Sequence, residues 1–582
     1  MKLQYILPVV LTTFGLWTAQ AQDSDKNLNR EMLLEKDYVP TIMKASRINN
    51  LPEIREPQIR KPQVEYSNYA LPLSLAPRLQ VLDAVPLFTQ VAESDKKGYA
   101  NFGIATNINI DGDLGYQILN TPKNQLGIYL SHRSSNSDVT YLQEDEKQKM
   151  KLNDTWGAVS FAHKLNEFNL FTGFKYTHSG FNYYGHNKPF ETPIDLDKDV
   201  NQSNNIVDFN LGLATNGEEE WNFTTQFSYY YFKQKYATSE EMDGPAESSG
   251  KFDFDVNYRF SEEHKYGLKG FIQGFSYNAD QPDNGVYYNG YKGHGRIGFS
   301  PYLSFSDVSW KAHIGFKTFI TFNYGKTFAF APDLAFSIYP TKDSELYLRA
   351  DGGLTSNSNY AVYRINRYAA PENRINDTRT NLDGTFGYKM NIKGNLWFDL
   401  YAGYRIDRDA YFFRYAQPNT AFLNTAIAGN VAAADRMDAN VFKVGIQVKY
   451  QYQNDFDFGI KLQHNTWDVD NYDYQGSIKS KAWNRPDLEA DLTAGYHFWF
   501  PLRLDLLYHI EAGRTTLLEN QGVEQSLKMK DINDLNLTAT YAVNSYLSVY
   551  GKFNNILSQD YDLWYGYPAQ KANFMVGVTV KF

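Results

Sequence analysis

From about Tyr99 to the end of the chain, apolar and polar residues alternate with period two in segments of roughly ten residues. Residues 251–260 set Phe252, Phe254, Val256, Tyr258 and Phe260 on one face and Lys251, Asp253, Asp255, Asn257 and Arg259 on the other. Residues 442–450 set Phe442, Val444, Ile446, Val448 and Tyr450 against Lys443, Gly445, Gln447 and Lys449, and residues 395–406 repeat the pattern from Leu396 to Ile406. The chain ends the same way. Phe574, Val576, Val578, Val580 and Phe582 share one face, with Met575, Gly577, Thr579 and Lys581 on the other. So regular a row of charges cannot line a dry core without a heavy desolvation cost, whereas a wet or plugged lumen accommodates it. The pattern predicts an all-β fold, a transmembrane antiparallel barrel over residues 99–582 that closes on its carboxyl-terminal strand. It makes Lys251, Asp253, Asp255, Arg259, Lys443 and Lys449 the candidate lumen-facing residues.

The links between these segments fall into two classes. Short, turn-like links occur at 216–220, 340–343, 392–395, 453–455 and 543–545. Long links run over about 185–204, 236–249, 357–379, 416–439, 468–486, 515–529 and 558–572. Short periplasmic turns and longer external loops are the outer-membrane arrangement, and counting back from a periplasmic carboxyl end gives an even number of strands near 22.

The amino-terminal end agrees with export. Lys2, the apolar stretch Ile6 to Trp17 and Ala19-Gln20-Ala21 read as a signal peptide over 1–21. No stretch reaches the roughly 20 apolar residues of a membrane-spanning helix. The chain has no cysteine, hence no disulfide, no thiol chemistry and no lipid-acceptor cysteine. Aromatics make up 16% of it, led by 45 Tyr and 39 Phe, which suits interfacial girdles. The net charge of -9 gives no electrostatic case for nucleic acid. Together these features place the barrel in a bacterial outer membrane, with membrane lipid as its surroundings and the barrel-assembly machinery as its partner during biogenesis.

Residues 22–98 differ from the rest. A short helix is predicted over 29–37, followed by an extended stretch punctuated by Pro40, Pro52, Pro57, Pro62, Pro72, Pro77 and Pro86. Glu56-Pro57-Gln58-Ile59-Arg60 is nearly repeated by Lys61-Pro62-Gln63-Val64-Glu65. A 22-strand barrel has a radius of roughly 22 Å and a lumen on the order of 20,000 Å³. This segment fills about half of that at protein packing density, so infolded loops or a partner protein must complete any seal.

The last forty or so residues carry a resemblance. Val549-Tyr550-Gly551-Lys552-Phe553-Asn554-Asn555-Ile556-Leu557, then Asp560-Tyr561, Trp564-Tyr565-Gly566-Tyr567-Pro568 and Asn573-Phe574, resemble the end of a TonB-dependent receptor. Lys571-Ala572-Asn573 stands where that family has Gly-Arg-Asn. Asn29-Arg30-Glu31-Met32 and Leu51-Pro52-Glu53 resemble a group of receptor-like barrels from Bacteroidota. The resemblance implies a plug-bearing barrel that takes up a ligand across the outer membrane. The family's plug is well over a hundred residues long, and residues 22–98 do not have its length or its motifs.

Several side-chain groups invite a chemical reading, each beside a plainer one. Asp195, Asp197 and Asp199 open like a calcium loop, but Val200 and Ile206 stand where glycine and glutamate are required, so a solvated loop is favoured. Trp467, Asp468, Asp470, Tyr472 and Asp473 suit a sugar or a cation on an external loop, against the ordinary composition of a barrel rim. His178 and His186 have no third ligand to make a metal site. His132 with Ser131, Ser134 and Ser135 has no supporting catalytic motif. No cofactor, no metal site and no enzyme is expected. Two functions remain: gated uptake of a ligand, or a structural or assembly role in the envelope with residues 22–98 docking a periplasmic or outer-membrane partner.

Overall fold

The computed structural model describes residues 96–142, 147–185, 201–216, 220–237, 243–261, 263–278, 293–323, 325–371, 376–415, 431–453, 455–473, 476–520 and 523–582. The signal peptide, the proline-punctuated segment up to residue 95, the carboxylates at 195, 197 and 199, and His186 lie outside the described residues.

The strands form one closed antiparallel ring of 22. One further short strand, Gly476–Ser480, pairs with the outer end of Phe456–Asp473. The seam joins the first strand, Gly98–Ala105, to the last, Asn573–Lys581, in unbroken register from Tyr99 against Lys581 to Ala105 against Met575. Gly98 and Phe582 exchange backbone hydrogen bonds at 2.8 and 3.0 Å. Beside the seam, Tyr550 lies on the lumen side over two glycines. A Cβ at Gly577 would meet its ring at 2.2 Å, and one at Gly103 would meet its hydroxyl at 2.5 Å. Glycine is required at both positions because the ring occupies the space a side chain would fill.

Alternation works as the sequence implies. Leu130, Val159, Phe174, Ile314, Leu348, Phe386, Phe442, Val444, Val576 and Val578 are exposed and form an outward apolar belt. Their strand neighbours Ser131, Ala158, Tyr347 and Met575 are buried on the other face. No helix of the described residues is long and apolar enough to cross a membrane. The short turns lie at the same end as Phe582, and the long links at the other.

The strands outrun the bilayer. Ala432–Tyr452 has 21 residues, where about ten tilted residues span a membrane. Much of what reads as long loop is therefore regular structure: Ala432–Tyr452 begins inside the 416–439 link, and Phe456–Asp473 continues through residue 468. Thr515–Asn520 pairs with Val523–Lys528, Asp562–Trp564 with Tyr567–Pro568, and Asn359–Ile365 is a helical turn. Above the bilayer both faces of a strand meet water or polar neighbours, so the alternation that betrays a strand disappears.

Candidate functional site

The outer mouth of the barrel holds the largest cluster of buried apolar side chains among the described residues. Tyr183, Tyr184, Val362, Tyr368, Ala369, Tyr411, Phe413, Val431, Trp564 and Tyr567 are buried in one cluster drawn from five separate stretches of chain. Tyr368 stacks on Tyr567 with ring centres 4.0 Å apart, and Tyr184 meets both edge-on. Such pairs are worth about 1 kcal/mol each beyond the area they bury.

The segment 356–371, between strands Ser344–Thr355 and Thr378–Ile392, runs across this mouth. Ser358 caps its helical turn by accepting from Ala361 N–H at 3.2 Å. Glu247, on the inward face of Ala246–Arg259, accepts the Asn359 N–H at 2.7 Å and the Tyr230 hydroxyl, which also reaches Ser358 at 3.0 Å. Farther along, Arg367 makes a two-pronged pair with Asp154 on Lys147–Lys164, at 3.0 and 3.3 Å. Ala369 bridges to Ala432, whose N–H donates to Tyr368 O at 2.9 Å while Ala370 N–H donates to Ala432 O at 2.9 Å. Asp377, just past the segment, receives Arg296 at 2.9 Å. One segment thus touches walls on several sides of the ring.

The last outer link is folded in beside it. Asn554 donates across the link's base to Asn573 at 2.8 Å. Asn555, in a left-handed conformation (φ 46°), accepts from Gln559 N–H at 3.2 Å and donates to Gln559 O and Gln570 O at 3.2 and 3.1 Å. The paired asparagines of the carboxyl-terminal motif act here as a clamp on both legs of the link. Fully buried Arg514 donates to the carbonyls of Leu563, Asp562 and Lys530 at 2.9–3.1 Å. Asp562 accepts the Gly566 N–H at 2.9 Å, and burial pushes its carboxyl up to about 6.

The residues singled out in the sequence have these places. Lys251 pairs with Asp253 at 2.7 Å, Asp255 accepts from the Tyr302 hydroxyl at 2.9 Å, and Arg259 lies opposite Lys265 at the end of its strand. Lys443 pairs with Asp383 at 2.6 Å, and Lys449 lies 5.7 Å from the Trp397 ring centre. The external-loop group requires correction. Trp467, Asp468, Asp470 and Asp473 are on a strand, not a loop, and alternation divides them. Trp467 packs edge-on to Phe412 and donates to Pro486 O at 3.2 Å. Asp468 and Asp470 share the opposite face with exposed Leu462. The side chains of Tyr472 and Asp473 lie outside the described residues.

His178 bonds to Asn205 at 2.9 Å. His132 bonds to Thr155 at 2.8 Å, on the face opposite Ser131, which donates to Asp113. Arg367, Asp154, Glu247 and Arg514 carry no motif. Each is recognisable by its partner, and the partners are distant in sequence.

A barrel of 22 antiparallel strands closed on its final strand, with folded outer links, decides the comparison. The fold is that of a TonB-dependent receptor barrel. The ferripyoverdine receptor of the Pseudomonas aeruginosa outer membrane, bound to ferripyoverdine, superposes with a TM-score of 0.61 at 12% identity, covering 84% of this chain and 72% of that one. The FrpB iron transporter of Neisseria meningitidis gives 0.64 at 10% identity over 86% and 83%. The copper transporter OprC gives 0.59 at 12% over 83% and 80%. In sequence, no family model and no curated protein matches the chain. These neighbours are named as transporters and a receptor, and what this chain shares with them is the barrel fold.

Proposed function

We propose that this barrel takes up a ligand across the outer membrane, and that the docked segment 356–371 is the outer gate the ligand must displace. The carrying observation is the attachment of that segment to two separate wall strands by a few polar contacts, Arg367 to Asp154 and Asn359 to Glu247. Such contacts are exchangeable: a ligand that offers its own donors or acceptors can replace them at little net cost. The general role rests on the fold shared with iron, pyoverdine and copper transporters. Below the gate, the ligand path would be lined by Lys251, Asp253, Asp255, Arg259, Lys443 and Lys449, with residues 22–98 acting from the periplasmic side.

Single-channel recording tests this reading. A form lacking residues 22–95 should stay mostly closed in a planar bilayer while the outer contacts are intact. Adding Arg367→Ala and Glu247→Gln should open it. Equal, large conductance with and without those two changes would rule out a gate at this position.

A further inference from the structure

The outward face of the long strands changes character before the strand ends. Toward the outer end, Leu130 gives way to His132 on Asn124–Thr140, Val159 to Thr155 on Lys147–Lys164, and Phe442 to Asn440 and Asp438 on Ala432–Tyr452. Apolar side chains suit hydrocarbon, and polar ones suit the headgroups and water above it. Those walls pass through the bilayer and out of it.

The seam does not. Leu547–Asn554, Asn573–Lys581 and Gly98–Ala105 are neighbours in the ring and have 8, 9 and 8 residues. At their periplasmic end Tyr116 and Phe582 stack at 5.9 Å beside Gly98, as in an aromatic girdle. From there outward the lipid-side residues are Ala100, Phe102 and Ile104 on one strand. They are Val580, Val578, Val576 and Phe574 on the next, and Leu547, Val549, Gly551 and Phe553 on the third. None of them is polar. Eight residues tilted by about 40° rise about 20 Å, short of the roughly 25 Å apolar band of an outer-membrane barrel. The wall ends before the band does.

The links at its top are apolar too. Ile108, in the link Thr106–Ile108, is 67% exposed and left-handed (φ 56°), a conformation that penalises a β-branched residue. Ile556 and Leu557, just past the turn at Asn555, are exposed as well. The two links are joined through the last strand. Thr106 Oγ1 accepts from Phe574 N–H at 3.3 Å, and Phe574 packs on Phe553 with ring centres 4.4 Å apart. A single exposed apolar side chain is ordinary, but a group that prolongs the apolar face past its strand ends is penalised in water and stabilised in hydrocarbon.

We infer that the outer rim at the seam, formed by Ile104, Ile108, Phe553, Ile556 and Leu557, is a binding surface for lipid acyl chains. The occupant follows from continuity: the rim extends the apolar belt with no polar row between them. Unpaired backbone cannot lie deep in hydrocarbon, so the links sit at the boundary of acyl chains and headgroups, and the leaflet is drawn down to meet them. The inference rests on the reading of the belt as lying in a bilayer, and not on what the barrel transports.

The chain has no cysteine, so one can be placed at will. The test uses the full mature chain in phosphatidylcholine nanodiscs with a bimane label on Ile108→Cys, Leu557→Cys, Val444→Cys in the belt, or Ser309→Cys at a periplasmic turn. Quenching is read with nitroxide-bearing lipids and with aqueous iodide. The two rim labels should lose most of their emission to a nitroxide near the acyl carbonyl, less to one at the chain end, and little to iodide. Ser309→Cys should respond mainly to iodide. Rim labels quenched by iodide and not by lipid would place the rim in water. Rim labels reached by neither would mean that protein, a second copy or a partner, covers it. Stronger quenching from the chain end would place the rim deep in hydrocarbon. Each of these overturns the assignment. If Val444→Cys also escapes the nitroxide lipids, the bilayer reading of the belt falls with it; if Val444→Cys is quenched and the rim is not, only this inference falls. A barrel that still runs as the compact, heat-modifiable species on gels shows that the variants are folded.

Discussion

The guanidinium of Arg367 reaches the carboxylate of Asp154 through two contacts, 3.0 and 3.3 Å, and so ties an outer link to a strand residue 213 positions earlier, on another part of the ring. Both side chains are mostly but not wholly covered, 18% and 27% exposed. Removing either leaves its partner short of a charge-assisted hydrogen bond, which costs on the order of 2 kcal/mol. Arg367→Ala should therefore raise hydrogen exchange across 358–371 by roughly tenfold or more, leaving the barrel strands unchanged. Protection as strong as in the wild type would show that the hydrophobic cluster holds the segment without this pair.

The last outer link should respond to pH through Asp562. Its carboxyl is held at about 6 in the folded state against 3.8 when free, chiefly by burial and against the pull of Gly566 N–H and Arg514. Folding therefore favours the protonated form. The stabilising contribution is full below about 3.8, falls as pH rises through 6, and spans on the order of 3 kcal/mol. Because the chain has no cysteine, Leu563→Cys provides a single probe of whether the link is docked. Its maleimide labelling, corrected for thiol ionisation, should rise between pH 4 and 7, and Asp562→Asn should flatten that rise.

Closure of the barrel depends on the fit of Tyr550 over Gly577 and Gly103. Gly577→Val would drive a side chain into the ring and should cost about 1–3 kcal/mol. The midpoint of unfolding in urea should fall accordingly. Adding Tyr550→Ala removes the clash and should recover part of the loss, a coupling that two independent effects would not show.

The outward belt supplies a fourth test. Val444 is exposed within the apolar row of Ala432–Tyr452, whereas Asn440, two positions beyond Phe442, begins the polar part. Val444→Arg should cost about 2–4 kcal/mol on folding into lipid vesicles, and Asn440→Arg about 1 kcal/mol or less. Equal costs would move the bilayer boundary from where the rows place it.

The barrel was legible in the sequence because lipid and lumen impose opposite demands on successive residues, as from Phe574 to Phe582. The short turns and the strand number followed from the same alternation. The docking of segment 356–371 was not legible. Glu247 and Asn359 are 112 residues apart, Asp154 and Arg367 are 213 apart, and none stands in a pattern. Trp467 and Asp468 misled for a related reason: beyond the bilayer both strand faces are polar, so a strand reads as a loop, and neighbours that point opposite ways read as one site. Asn554 and Asn555 were visible as a motif, but their work as a clamp on the final link needed coordinates.

The docking of segment 356–371 against the mouth is the central claim, and one engineered disulfide tests it. Ala369 and Ala432 are bridged partners, a spacing within reach of a disulfide, in a chain without other thiols. In native outer membranes, Ala369→Cys with Ala432→Cys should cross-link nearly completely under mild oxidant, while Ala369→Cys with a cysteine at exposed Ser309 should not. Failure of the 369–432 pair to cross-link in a folded barrel would contradict the docked gate.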